Sequence, residues 1–423
     1  MKHRRLTVLA LVGTAAVASA AHAQSESGPL APGQMAQARQ ARMAQFLLSA
    51  NAEYDSNVVR ASPTLAAQEG LHLADTTYSP TLNANLVLPV GRQALFLDGN
   101  VGYVAHQENT RLDHAKADLN AGVGNKLGPC GSVLTGGYFR GRSELLNTAL
   151  ATTVQDLQEI KKVDFGLTCL RAPGLGLNLD ASRSWATNDA PTQSNGNYQS
   201  TQLTGSLIYS RPSTGTIALT AADVETDYSQ VGLLALVGPS GYKARSVGLR
   251  LERKLGGRIE ATATVSYTKA EIEQPVLLAG PATPSARDFT GLTYTGDVTF
   301  RASSRLSAHA GFDKEVKPSL IPGGSFEVHT EYIVGVKYNL GSRIELGLDG
   351  QDRNIIVHGD FPAALAATTL TDAHVKLIEA TARYNLTKRL SFLLTGGRET
   401  RDANNALFEY SDNKVSLGTE VRF

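Results

Sequence analysis

The feature that most limits what this chain can become is a two-residue alternation of apolar and polar side chains. It is sustained over long runs and recurs from about Gln45 to the last residue. In Ile259–Thr268 the apolar set falls on odd positions, and in Leu292–Phe300 on even ones. Leu82–Leu88, Leu203–Tyr209, Leu306–Phe312, Tyr332–Tyr338 and Ile344–Asp349 behave likewise. Successive side chains of a strand point to opposite faces, so each run makes a ribbon with one oily and one polar face. The runs extend about 11–15 residues, whereas strands of water-soluble sandwiches span about 5–6. A tilted strand crossing a bilayer needs about 9–11.

The connections alternate in kind. Short turns fall at Val90–Arg92, Gly128–Gly131, Arg171–Gly174, Arg211–Ser213, Leu255–Gly257, Ala302–Ser304, Leu340–Ser342 and Thr387–Lys388. Longer links that read as polar lie between them, at Val58–Asp75, Leu146–Val154, Asn188–Gly196, Asp227–Gly241, Glu271–Arg287, Lys317–Ser325 and Asn354–Ala373. Short turns on one rim and long loops on the other are the plan of a bacterial outer-membrane barrel. The expected fold is all-β: a closed antiparallel transmembrane β-barrel of about 18 strands (roughly 16–20), with short periplasmic turns and longer extracellular loops. Closure is forced, because lipid offers no hydrogen-bond partner to an open sheet edge.

The two ends agree with export to that membrane. Lys2, Arg4 and Arg5 precede the apolar stretch Leu6–Val17, and Ala21-His22-Ala23 gives a small-x-small cleavage pattern. We read residues 1–23 as a signal peptide, 24–43 as a flexible periplasmic lead and 44–423 as the barrel. At the other end Val415, Leu417, Thr419, Val421 and Phe423 share one parity. A terminal aromatic strand of this kind is the expected assembly signal, with Phe423 at its tip and the barrel-assembly machinery as partner.

An 18-strand barrel is too wide for side chains to fill. With no extra domain to plug it, a rather open channel is expected, narrowed by the Asn354–Ala373 loop with its apolar stretch Phe361–Leu365 or with that stretch packed at the rim. Parity nominates the lumen-lining charges. The acidic ones are Asp98, Asp118, Asp164, Asp180, Glu252, Glu260, Asp297, Asp313, Glu331, Glu345, Asp349 and Glu379, with Glu420 beside the C-terminus. The basic ones are Arg250, Lys337, Arg353 and Arg383, with Lys116 and Arg422. The tilt is acidic, unlike a polyanion conduit, which would carry rings of Arg or Lys. Cross-strand pairing that keeps the lumen wet accounts for most of these charges.

A formal net charge of +1 excludes a nucleic-acid binder. No HExxH, P-loop, GxSxG or dinucleotide fingerprint is present, and no enzyme, cofactor or metal is expected. His106 and His114 flank one loop; His358, Asp372 and His374 flank another, and loop-surface histidine is the ordinary explanation for both. Cys130 and Cys169 lie almost symmetrically about Leu146–Val154. They can form a disulfide in the oxidising periplasm or remain free, since the parity of the Gly131–Arg142 run is ambiguous.

The barrel opens with Phe46-Leu47-Leu48-Ser49-Ala50-Asn51-Ala52-Glu53 and then Tyr54-Asp55-Ser56-Asn57-Val58. A first strand running into Tyr-Asp-Ser-Asn-Val resembles the β-barrel porin family (type 2) found in bacterial exopolysaccharide gene clusters. The likeness covers the plan of most of the mature chain. It implies a channel for export or assembly of an exopolysaccharide, with polysaccharide and periplasmic export components as partners beside the outer-membrane lipid. Read from its residues alone, Tyr54–Val58 is an interfacial tyrosine followed by a polar turn at the outer rim. A general or small-solute porin is the alternative function, and a structural or interaction barrel without conductance is the second.

Overall fold

Alternation at this length makes a sheet whose edges have nowhere to go but to each other. The computed structural model describes residues 42–142, 156–170, 173–189, 196–211, 215–229, 241–273, 288–319, 321, 324–359 and 370–423. The expected signal peptide, all but the last two residues of the lead, the Leu146–Val154 loop and Phe361–Leu365 lie outside these residues.

The strands run Met43–Asp55 (β1), Asp75–Val90 (β2), Gln93–His106 (β3), His114–Leu127 (β4), Cys130–Arg142 (β5) and Leu157–Leu170 (β6). Next come Gly174–Asn188 (β7), Tyr198–Arg211 (β8), Gly215–Tyr228 (β9), Tyr242–Leu255 (β10), Ile259–Ile272 (β11) and Phe289–Arg301 (β12). The last six are Leu306–Pro318 (β13), Gly324–Leu340 (β14), Ile344–Gly359 (β15), Asp372–Asn385 (β16), Leu390–Ala403 (β17) and Tyr410–Arg422 (β18). Each pairs antiparallel with its sequence neighbours, and β1 closes on β18 from Leu47↔Arg422 to Asp55↔Lys414. The result is a single closed antiparallel barrel of 18 strands. No helix among the described residues is long and apolar enough to cross a membrane.

The short turns form as their residues dictate. Gly91 (φ 59°) and the pair Gly256 (φ 57°) and Gly257 (φ 69°) occupy the left-handed region, which tight hairpin turns require and glycine enters without steric cost.

The outer register carries the oil. Leu207, Leu219, Val247, Leu249, Val265, Val334, Leu348, Ile378, Leu394 and Leu417 are all exposed. Aromatic residues edge this belt. Tyr54, Tyr78, Tyr103, Trp185, Tyr267 and Tyr332 sit towards the loop end; Phe46, Tyr209, Phe300, Tyr338, Tyr384, Phe392 and the terminal Phe423 sit at the turn end. An exposed apolar surface this large is untenable in water. In a bilayer it is the hydrocarbon-facing band between two interfacial girdles.

Candidate functional site: the lumen and its mouth

The side of each strand opposite the belt faces the lumen. Each charged residue nominated by parity sits on a strand, on the parity opposite that strand's exposed apolar residues. Asp98 accepts from Asn85 Nδ2 at 2.9 Å, and Asp118 lies next to it, paired across β3 and β4 with Asn100. Asp180 accepts from the Asn178 amide, and Asp297 from the Thr299 hydroxyl at 3.5 Å. Glu331 accepts from Gln351 Nε2 at 2.8 Å. Asp313, Arg250, Glu252 and Glu379 share this inner face.

Several wall cations are drawn into ion pairs. Lys162 meets Asp164 at 3.0 Å, Lys337 meets Glu345 at 2.6 Å and Lys254 meets Glu260 at 2.7 Å. Arg383 pairs with Glu420 through both terminal nitrogens. His309 lies 3.5 Å from Asp349, and Arg353 is buried higher on β15. Asp98, Asp180, Asp297 and Glu331 are thus served by amides or hydroxyls, whereas Asp164, Glu260, Glu345 and Glu420 are served by cations.

The mouth departs from the expectation of an open channel. Val58–Asp75 is not a polar link. It folds inward, carries a short helix α1 (Pro63–Gln68) capped by Ser62 Oγ accepting from Leu65 N–H, and buries Val58, Val59, Ala61, Leu65, Ala66 and Leu71. Their partners are Leu112, Ile321, Val357, Leu370, Ala373 and Phe408, from four other hairpins. A second apolar cluster fills the opposite side: Ala186, Tyr198, Tyr228, Tyr242, Ala244 and Ala270 on the inner faces of β7 to β11 receive Phe326 and Val328 of β14. Tyr228 Oη donates to Ser325 O at 2.7 Å, so the start of β14 reaches the wall of β9 across the opening. Within Asn354–Ala373, β15 continues to Gly359 and β16 resumes at Asp372, and Val357, Leu370 and Ala373 join the first cluster. Nothing in the local period of these loops discloses the packing, since every partner comes from another hairpin. The one local signal is Ser62-Pro63 ahead of Leu65-Ala66, a helix start in which serine caps and proline fits the first turn.

The histidines near the loops have structural partners. His106 Nδ1 lies 3.2 Å from Asp113 Oδ1, His374 Nε2 lies 2.9 Å from Asp352 Oδ1, and His358 stacks on Phe326. Glu225, Asp227 and Glu273 bring carboxylate oxygens within 4.8 Å of one another. They are exposed, and Glu225 already pairs with Lys243 at 3.5 Å.

Cys130 and Cys169 are directly opposed in the β5–β6 ladder and joined by a disulfide near the periplasmic end. Denatured, unreduced protein should give no colour with Ellman's reagent and should release both thiols after reduction. Thiol reactivity before reduction would remove the bridge from the description.

No family model matches the chain, and no curated protein matches it. Solved structures similar in strand plan include OccK2 (OpdF) of Pseudomonas aeruginosa, 12% identical over 90% of this chain and 98% of that one, with a TM-score of 0.47. A BenF-like porin from Pseudomonas fluorescens Pf-5 is 14% identical over 90% and 99%, also at 0.47. OpdK of Pseudomonas aeruginosa is 8% identical over 90% and 99%, at 0.46. The molecule is an outer-membrane β-barrel. Its belt, girdles and closed ladder carry that conclusion, and the low-identity likenesses add nothing about cargo.

Proposed function

We propose that the barrel is a channel for small hydrophilic solutes. The observation that carries this reading is a polar, acid-tilted inner wall running the height of an 18-strand barrel beneath a mouth crossed by two apolar clusters. Water fills a lumen of this width, and solutes diffuse through it without a bound cofactor or a covalent step. Export of an exopolysaccharide, which the Tyr54–Val58 resemblance implies, is the weaker reading. A polymer would have to thread between the inward-folded 56–74 segment and the start of β14.

Reconstitution in a planar bilayer tests the proposal. The expected result is stable single-channel conductance that small polyethylene glycols reduce and large ones do not, together with unchanged secreted polysaccharide in a deletion strain. Absence of conductance, or loss of polysaccharide on deletion, would overturn it.

A further inference from the structure

The Tyr54–Val58 motif and the segment that follows it have a role that passive loop packing does not capture. Tyr54 itself is exposed on the outer register, at the girdle. The next three residues turn the chain inward. Ser56 N–H donates to Asn413 O at 3.0 Å, and Asn413 N–H returns a bond to Ser56 Oγ at 2.7 Å. Asp412, fully buried on β18, accepts from the Ser56 hydroxyl and the Asn57 N–H, each at 3.2 Å. Asn57 Nδ2 then donates to Ala61 O at 2.9 Å, clamping the bend. Arg60 sits within that bend at φ 55°, the one described non-glycine residue in the left-handed region. Such conformations persist where the surroundings over-determine them.

From this anchor the segment spans the opening. Val58 O accepts from Arg142 Nη1 of β5 at 3.2 Å, whereas Arg60 O accepts from Arg401 Nη2 of β17 at 2.9 Å. Ser62 N–H donates to Leu407 O at 3.2 Å. Strands lie about 4.8 Å apart, so β5 stands roughly 19 Å from β1 around the wall. A segment rooted in β1 that touches both β5 and β17 crosses the mouth rather than standing over its rim. Leu65 and Leu71 then pin it into the apolar cluster.

We propose that residues 56–74 form the constriction that sets the largest solute the barrel admits, with Asp55-Ser56-Asn57 as its anchor on β18. This rests on the channel reading and assigns its size limit to one segment.

The test is conductance and graded polyethylene glycol exclusion of the full chain in bilayers, with folding verified by heat-modifiable gel mobility. In Leu65→Glu/Leu71→Glu, two buried carboxylates break the apolar anchorage without altering any strand. A second variant replaces Ser62–Leu71 with Gly and Ser at equal length, should the charged one fail to fold. Conductance is expected to rise roughly two-fold or more, because it follows the open cross-section, and the exclusion limit should move to larger polymers. A folded variant with unchanged conductance and limit overturns the assignment and leaves the channel reading standing. A silent wild type overturns both.

Discussion

Placing arginine at Leu249 should cost the folded barrel roughly 2–4 kcal/mol, the depth-dependent penalty for a cation near the middle of the hydrocarbon. Leu249 is 60% exposed and lies between Leu219 of β9 and Val265 of β11 in the ladder, both also exposed. Its surroundings in the membrane are lipid chains, with no partner for a guanidinium. The matched control is Thr204→Arg, inward-facing and opposite Asp180 in the β7–β8 ladder. There the new charge meets water and a carboxylate, and the change should stay under about 1 kcal/mol. Urea titration of folding into phosphocholine vesicles measures both, and Trp185, the only tryptophan, is a ready reporter on the outer girdle. Equal costs for the two substitutions would mean that the apolar register does not face lipid.

The second large effect concerns charge. Under a salt gradient the wild-type channel should prefer cations, and Asp98→Lys combined with Asp118→Lys should drive the reversal potential towards anions. The reason lies in the partners. Asp98 is held by the Asn85 amide, and Asp118 faces Asn100 across the ladder, so neither is cancelled by a wall cation in direct contact. Lys162, Lys337 and Lys254, in contrast, are each spent on a carboxylate. Carboxylate rings of this kind set cation preference in wide pores, and the effect should fade in concentrated salt as the Debye length shrinks. A reversal potential unmoved by the double substitution would place the selective step elsewhere.

Much of the wall was legible in the sequence, because a period of two is enforced residue by residue. Leu292, Tyr294, Val298 and Phe300 fall on one face of β12 for the same reason that Thr293, Thr295 and Asp297 fall on the other. Turns such as Gly91-Arg92 and Gly256-Gly257 announce themselves by the backbone freedom they need. The cysteines were legible only as two options, since glycines at 136, 137 and 141 blur the parity of β5; the ladder register sets Cys130 against Cys169. The mouth was not legible. Val58 and Leu65 belong to one connection and Leu112, Ile321 and Phe408 to three others, and no local pattern records that they meet. The run from Val58 to Asp75 therefore read as a polar link although its apolar residues are among the most deeply buried of the described residues. The same limit explains why Tyr-Asp-Ser-Asn-Val looked like a plain rim turn. Its anchoring partner, Asp412, lies almost the whole chain away.

The seam between β1 and β18 has a consequence for biogenesis. Phe423 N–H donates to Phe46 O at 2.9 Å, so the first and the eighteenth stave of one cask adjoin. The first stave gains its second neighbour only when the eighteenth is in place, because the earliest must wait for the latest. Contacts of such long sequence separation form slowly, and the waiting ribbons are prone to stick to one another. Truncation by even the final stave leaves an open hoop that lipid cannot tolerate.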